Sequence, residues 1–285
     1  MPTGNPGAPG SRARVVTFAN QKGGSGKSLA AYFFANILAE RGDRILLVDC
    51  DGQEGNVSGD FGADKSDATR SLCALVTSAL DRGALTLVDC VQHVGRIDVL
   101  AGTTDLAALD VRLSAPGTIG SERLLACQLE PALASYDWVL IDTPGDFCQL
   151  SLNALVASDE VVIPCRAVMN SVTGAKVIME AVAATRDVYN PRLRVAGVFL
   201  NAFNRQSKVH REVAPMVKAL CEQEGVPLMD TRVCNSVTAD RATTFALEPS
   251  ELVSGTVRRG LVRDMYDLVE EFCAIDARLR VTGGA

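Results

Sequence analysis

Nine consecutive residues, Asn20-Gln21-Lys22-Gly23-Gly24-Ser25-Gly26-Lys27-Ser28, bring three glycines, two ammonium groups and two hydroxyls into one short segment. Glycines lack a β-carbon, so their backbone N–H groups can converge on an anion. A helix starting at the end of such a loop adds its unpaired amides and the positive end of its dipole. Placed there, Lys27 reaches the terminal phosphates of a nucleotide and the Ser28 hydroxyl ligates Mg²⁺. The segment fits the pattern G-x-x-x-x-G-K-[ST] except at its first glycine, where Gln21 stands, followed by a second lysine, Lys22. A glycine-rich turn before an ordinary helix is the plainer alternative. The flanks argue against it, because the apolar run 14–19 predicts a strand before the loop and 29–38 predicts a helix after it.

Three carboxylates stand where such a loop needs them. In an open parallel sheet, ligands bind beyond the carboxyl ends of the strands. Asp49 closes the apolar run 44–49, Asp51 follows two residues later, and Asp142 closes the run 136–142. Mg²⁺ on a nucleotide takes one or two protein oxygens and keeps several waters. Asp142 therefore suits an outer-shell role, holding a water on the metal that Ser28 ligates. Asp51, on a loop with Gly52 and Gly55, is expected close to that metal, orienting or polarising an attacking water. A lone strand-terminal Asp is as readily a turn or helix cap; two such strand ends beside a phosphate loop point to chemistry. Thr143-Pro144-Gly145 directly follows Asp142, and the segment from Thr143 to Phe147 is expected to change conformation with the γ-phosphate.

The elements that must position these groups alternate along the chain. Apolar runs at 44–49, 96–101, 136–142, 160–164, 193–201 and 227–233 predict strands. Helical periodicity is expected over 67–80, 121–133, 171–189, 209–224 and 257–279. Continuous apolar strands separated by helices imply an α/β fold, a doubly wound, mostly parallel sheet covered on both faces. Residues 1–13, rich in Pro, Gly and Ser, are expected to be a flexible tail, and 14–280 a single P-loop ATPase domain.

Composition bounds the function. The 285 residues are 47% hydrophobic and 22% charged, with a formal net charge of −6. An acidic chain does not advertise nucleic-acid binding, so any DNA contact needs a local basic patch. Nine cysteines occur singly, without a C-x-x-C pair, beside only two histidines. They read as small apolar residues in a reducing cytosol, neither a disulfide frame nor a zinc site. No apolar segment is long enough to span a bilayer, and a cytoplasmic protein is expected.

The same residues resemble a known family. Gln21-Lys22-Gly23-Gly24-Ser25-Gly26-Lys27-Ser28 resembles the deviant Walker A loop of the ParA/MinD ATPases. Val48-Asp49-Cys50-Asp51-Gly52-Gln53-Glu54-Gly55-Asn56 is similar to that family's D-x-D-P-Q-G-N segment, and Val139-Leu140-Ile141-Asp142-Thr143-Pro144 to its Walker B strand. The likeness, strongest to the Soj-like partitioning branch, runs over residues 14–275. It implies ATP and Mg²⁺ as cofactors and an ATP-bridged homodimer. Lys22 would reach the partner's phosphates, Lys27 would serve its own, and Asp51 would position the hydrolytic water. Lys22, Gly23, Gly24, Ser25, Gly26, Lys27, Ser28 and Leu29 would hold the nucleotide. Hydrolysis would be stimulated by a ParB-like or other partner protein. The dimer would bind DNA non-specifically, associating with the nucleoid and partitioning or positioning plasmid, chromosome or a protein cargo.

Three positions depart from the family pattern. Gly52 replaces the usual proline, and Gly-Asn follows Glu54 one place late. The segment that contacts adenine in relatives appears as Val233-Cys234-Asn235 without its proline. Asn235 is carried over, as is Asn201, which resembles a strand-terminal Asn that reads adenine; either is equally a turn residue. Basic candidates for DNA are Arg205, Lys208 and Arg211, then Arg232 and Arg241, and Arg258, Arg259 and Arg263, each singly also explained as a solvated helix face. The last helix carries Asp264, Asp267, Glu270 and Glu271, which opposes binding to anionic lipid. The alternative function is a nucleotide-switch regulator of a secretion, conjugation or motility complex that does not bind DNA.

Overall fold

A computed structural model describes residues 12–53, 56–235 and 260–282. Along the chain, β1 (Arg14–Phe18) leads through the glycine loop into α1 (Lys27–Glu40), then β2 (Ile45–Asp49), the single turn α2 (Val57–Asp60), α3 (Leu72–Leu80) and the turn α4 (Leu87–Cys90). A hairpin of β3 (Gln92–Val94) and β4 (Ile97–Leu100) precedes α5 (Leu106–Leu113), α6 (Leu124–Leu129) and β5 (Trp138–Asp142). Next come α7 (Gln149–Ala157), β6 (Glu160–Arg166), α8 (Met169–Val188), β7 (Arg194–Phe203), α9 (Lys208–Glu224), β8 (Leu228–Cys234) and α10 (Leu261–Thr282).

The eight strands form one sheet in the order β3-β4-β2-β5-β1-β6-β7-β8, parallel except for β3. Every residue of β2 and β5 is buried, which is why those runs are apolar throughout: helices cover both faces. Alternate side chains sort to opposite faces. Phe18, Leu47 and Leu140 pack with α1 and α10 on one side, where Phe34 and Phe272 meet edge to face. Val15, Val48 and Ile141 pack with α3, α5, α6 and α7 on the other, and Ile163 and Leu200 continue that face under α8 and α9. The crossover from β1 runs toward β2 on one side, while that from β5 runs past β1 to β6 on the other, so the topological switch point, where such folds bind ligands, lies beside β1.

The expected strands are all present, and the departures have local causes. Strand β3 was not expected: it is three residues long, joined to β4 by Gly95 and Arg96, with Gly95 in the left-handed region at φ 59°. The helix expected over 67–80 starts at Leu72, because Ser71 caps it by accepting from the Ala74 N–H. The helix expected over 121–133 is broken into a 3₁₀ turn at Ser121–Arg123, the short α6, and a second 3₁₀ stretch at Glu130–Ser135 that opens on Pro131. Helices α5 and α7 were also not expected; each spans fewer than three turns. Residues 257–259 of the expected last helix lie outside the described residues, and α10 follows Gly260.

Candidate nucleotide-binding site

The loop after β1 is built for an anion. Gly24 and Gly26 adopt φ of 71° and 100°, a left-handed conformation that a side chain disfavours. Gly26 precedes α1 without any side-chain cap, and the first turn of this 14-residue helix holds no acid. Its amides are therefore free for a ligand. The loop is held from behind at two points. Asn20, fully buried, donates through Nδ2 to the Pro164 carbonyl at 2.8 Å. Asn201 donates through Nδ2 to the Ser25 carbonyl at 2.7 Å. Neighbouring glycines allow the close approach: a β-carbon on Gly174 of α8 would sit 2.4 Å from Asn20 Oδ1, and one on Gly145 would sit 3.3 Å from Gly23.

The two lysines occupy opposite environments. Lys27 is buried, its Nζ 3.5 Å from the Lys22 carbonyl oxygen. Burial lowers its pKa, while Asp142, Asp51 and Asp146 act in the other direction. Lys22 is exposed. A cleft of about 340 Å³ is lined by Gly24, Lys27, Ser28, Asp51, Gly145 and Asp146, among others. The structure thus brings together the phosphate loop, Asp51 and the segment after β5, three stretches far apart in sequence.

Asp142 lies at the floor of the site and is fully buried. Burial first, and the Asp49 carboxylate second, push its pKa well above the usual carboxylate range, against the Ser28 hydroxyl and the Lys27 ammonium. Neither of its carboxylate oxygens has a hydrogen-bond partner of good geometry. Buried acceptors left unpaired are costly, and a hydrated Mg²⁺ on Ser28 would satisfy them: a carboxylate beside a serine hydroxyl is the oxygen donor set that this hard cation prefers. Asp49, by contrast, is committed to structure. It accepts from the Asp51 N–H at 3.0 Å, the Ser58 N–H at 2.9 Å and the Ser58 hydroxyl at 2.5 Å. Burial still raises its pKa to about 6.

Asp51 sits on a loop clamped against the loop after β4. A β-carbon on Gly52 would lie 2.7 Å from the Thr103 carbonyl, and one on Gly102 would lie 2.7 Å from the Asp51 carbonyl. The buried Asn56 side chain joins the two loops, donating to the Asp51 carbonyl at 2.6 Å and the Gly102 carbonyl at 3.1 Å. Gly52, the departure from the family proline, is therefore required by a close backbone approach. Sequence reasoning missed Asn56, Ser58, Gly102 and Gly174 as supports of the site. Of these, only Asn56 stood within a recognisable motif.

Beside the phosphate loop, a second cavity of about 220 Å³ is lined by Arg166, Asn201, Ala202, Cys234, Asn235 and Leu261, among others. Asn235 faces it from the end of β8, and Asn201 borders it while bonded to the loop. Ala202 takes φ 49°, a left-handed conformation unusual for a residue with a side chain. Of the basic candidates, Arg205, Lys208, Arg211 and Arg232 are exposed, as is Arg263 at the start of α10. The first four cluster at the carboxyl ends of β7 and β8, where the Arg232 guanidinium lies 4.9 Å from the Phe203 ring centre. Lys208 faces Glu212 and Arg263 faces Asp267. Arg241, Arg258 and Arg259 lie outside the described residues.

A parallel sheet with a glycine loop at its switch point, a buried lysine and a strand-terminal aspartate beneath it define a P-loop nucleotide-binding protein. Residues 13–195 match the AAA domain family. The chromosome partitioning protein ParA of Caulobacter vibrioides is 29% identical over 234 residues, 81% of this chain and 84% of its own. The sporulation initiation inhibitor protein Soj of Bacillus subtilis is 30% identical over 207 residues, 72% of this chain and 79% of its own. Among solved structures, a variant of Cyanothece McdA in complex with ATP shares the fold with a TM-score of 0.78 at 20% identity, covering 95% of this chain and 97% of that one. The chain belongs to the ParA/MinD family of deviant Walker A ATPases.

Proposed function

We propose that this protein is an ATP-dependent dimerising ATPase that binds DNA without sequence preference and partitions or positions a DNA or protein cargo, its hydrolysis stimulated by a partner protein. The observation that carries the reading is the contrast between the two lysines of one loop. Lys27 is buried against its own cleft, whereas Lys22 is solvent-exposed and free to serve a neighbouring subunit.

In this reading the amides of Gly23 to Leu29 and the Lys27 ammonium bind the phosphates of ATP. Ser28 ligates Mg²⁺, and Asp142 holds a metal-bound water through its otherwise unpaired oxygens. The metal, when bound, neutralises charge on the phosphates. Asp51, near that shell, orients the water that attacks the γ-phosphorus, giving ADP and phosphate. Asn56 and the Gly102 loop hold the Asp51 backbone in place, and Gly145, against Gly23, couples the segment after Asp142 to the phosphate loop. Asn235 and Asn201 border the space for adenine. The exposed arginines at the ends of β7 and β8 supply a local basic contact for the phosphate backbone on an otherwise acidic chain. The likeness to ParA and Soj supports a cytoplasmic, nucleoid-associated role.

The test is a gel shift with non-sequence-specific duplex, with and without ATP, at low and high salt, alongside phosphate release. ATP-dependent, salt-sensitive binding that weakens in Arg232→Ala is expected. ATP turnover without any DNA binding would instead favour a nucleotide-switch regulator of a secretion, conjugation or motility complex.

A further inference from the structure

The first residues of adjacent parallel strands stand side by side, and here they gather charge at the pole opposite the nucleotide loop. Arg14 opens β1, Glu160 opens β6 and Arg194 opens β7, with Glu160 in register with Arg194. The last turns of α10 fold over them. Between strand starts and helix lies a cavity of about 300 Å³ whose lining includes five arginines, Arg12, Arg14, Arg192, Arg194 and Arg280, and one carboxylate, Asp159.

Part of this cluster is explained by the fold. Arg12 Nη1 grips both oxygens of Asp159 at 2.9 Å. Arg14 bridges Asp276 at 2.8 Å and Glu160 at 2.5 Å, and Arg280 reaches Asp276 at 2.7 Å. With Arg12 Nη2 also 3.8 Å from Glu130, these ion pairs tie β1 to β6 and α10. Among the described residues each carboxylate beside the cavity already has an arginine, although Glu160 Oε2 itself has no hydrogen-bond partner. Arg192 and Arg194 are left over. Among the described residues, the Arg194 guanidinium donates only to the neutral Leu279 carbonyl, at 3.1 Å, and the Arg192 guanidinium faces no carboxylate. In addition, the Arg12 Nε is buried with no acceptor. Guanidiniums crowd together at an electrostatic cost, and nothing in the ion-pair network requires these two.

We propose that this polar cavity binds a small, multiply charged phosphate of the diphosphate class, held by Arg192 and Arg194 with the spare N–H groups of Arg12 and Arg280. The planar guanidinium fork matches phosphate oxygens two at a time, so two free forks call for a ligand with more than one phosphoryl group. The recess between strand ends and helix suits a compact ligand better than a duplex backbone. The site lies a full strand length from the phosphate loop, which stands at the opposite, carboxyl end of β1.

The experiment is isothermal titration calorimetry of pyrophosphate into the full chain carrying Lys27→Ala, so that the phosphate loop contributes little. Saturable binding is expected, weakened roughly tenfold or more when Arg192→Ala and Arg194→Ala are added, since each lost charge-assisted bond is worth a comparable factor. Arg192→Ala alone, at an exposed position, keeps the comparison valid should the combined variant unfold, and it too must weaken binding. Unchanged affinity in these variants overturns the proposal. So does an equal response to sulfate at matched ionic strength, which would indicate charge screening, and so does loss of the same heat to competing duplex DNA.

Discussion

The Asn201 side chain lies where a β-carbon on Gly26 would have to be: that position is 1.9 Å from Asn201 Nδ2. The same nitrogen donates to the Ser25 carbonyl, so β7 holds the phosphate loop from below through a single amide. Gly26→Ala combines this clash with φ of 100°. It is expected to destabilise the protein by about 2 kcal/mol or more and to abolish nucleotide binding. Asn201→Ala leaves the Ser25 carbonyl without its donor, a loss of about 1–3 kcal/mol. Chemical denaturation and titration with a fluorescent ATP analogue measure both, and an Asn201→Ala protein of unchanged stability and affinity would remove this support.

The two lysines are predicted to separate binding from assembly. Lys27→Ala should abolish ATP binding, because its buried ammonium faces the cleft. Lys22→Ala should still bind ATP as a monomer while losing ATP-dependent dimerisation or hydrolysis. Size-exclusion chromatography with light scattering distinguishes them, and a normally dimerising, normally hydrolysing Lys22→Ala protein would refute the shared site.

Asp51→Ala should retain bound ATP in a persistent dimer while turnover falls on the order of a hundredfold or more, the usual worth of a group that handles the attacking water. Phosphate release under single-turnover conditions reads this, and rapid turnover would exclude Asp51 from the role.

Restoring the family residue at position 52 is expected to harm this chain. Any β-carbon there meets the Thr103 carbonyl at 2.7 Å and Leu106 at 3.3 Å. Gly52→Pro should therefore cost about 1–3 kcal/mol and slow hydrolysis by displacing Asp51. A denaturation midpoint equal to that of the parent would show that the two loops yield freely.

Asp60 makes stability depend on pH in a specific direction. Burial first, and Asp49 second, raise its pKa to about 7 against the pull of Lys65. A carboxyl raised in the folded state is penalised when ionised. The penalty is absent below the unfolded value of about 3.9, grows as pH rises, and is complete above the folded value. Asp60→Asn should therefore raise the melting temperature at about pH 8 and leave it nearly unchanged at about pH 4. Equal shifts at both pH values would contradict this origin.

The amino-acid order by itself determined the inventory of candidate site residues. Glycine spacing, the two lysines and the strand-terminal aspartates are local signals, and the continuous apolar strands implied a parallel sheet whose carboxyl ends would gather them. What only the tertiary structure decided is how that inventory is held. Gly52 and Gly102 are fifty residues apart and carry no common pattern, yet their backbones touch because β2 and β4 are neighbours in the sheet. Asn201, expected beside adenine, also donates to the Ser25 carbonyl, a support that no local pattern announced. The arginines at 12, 192, 194 and 280 are scattered along the chain and meet only where β1 and β7 begin and α10 ends. Contacts of this kind depend on strand order and close backbone approach, which periodicity in a single sequence does not encode.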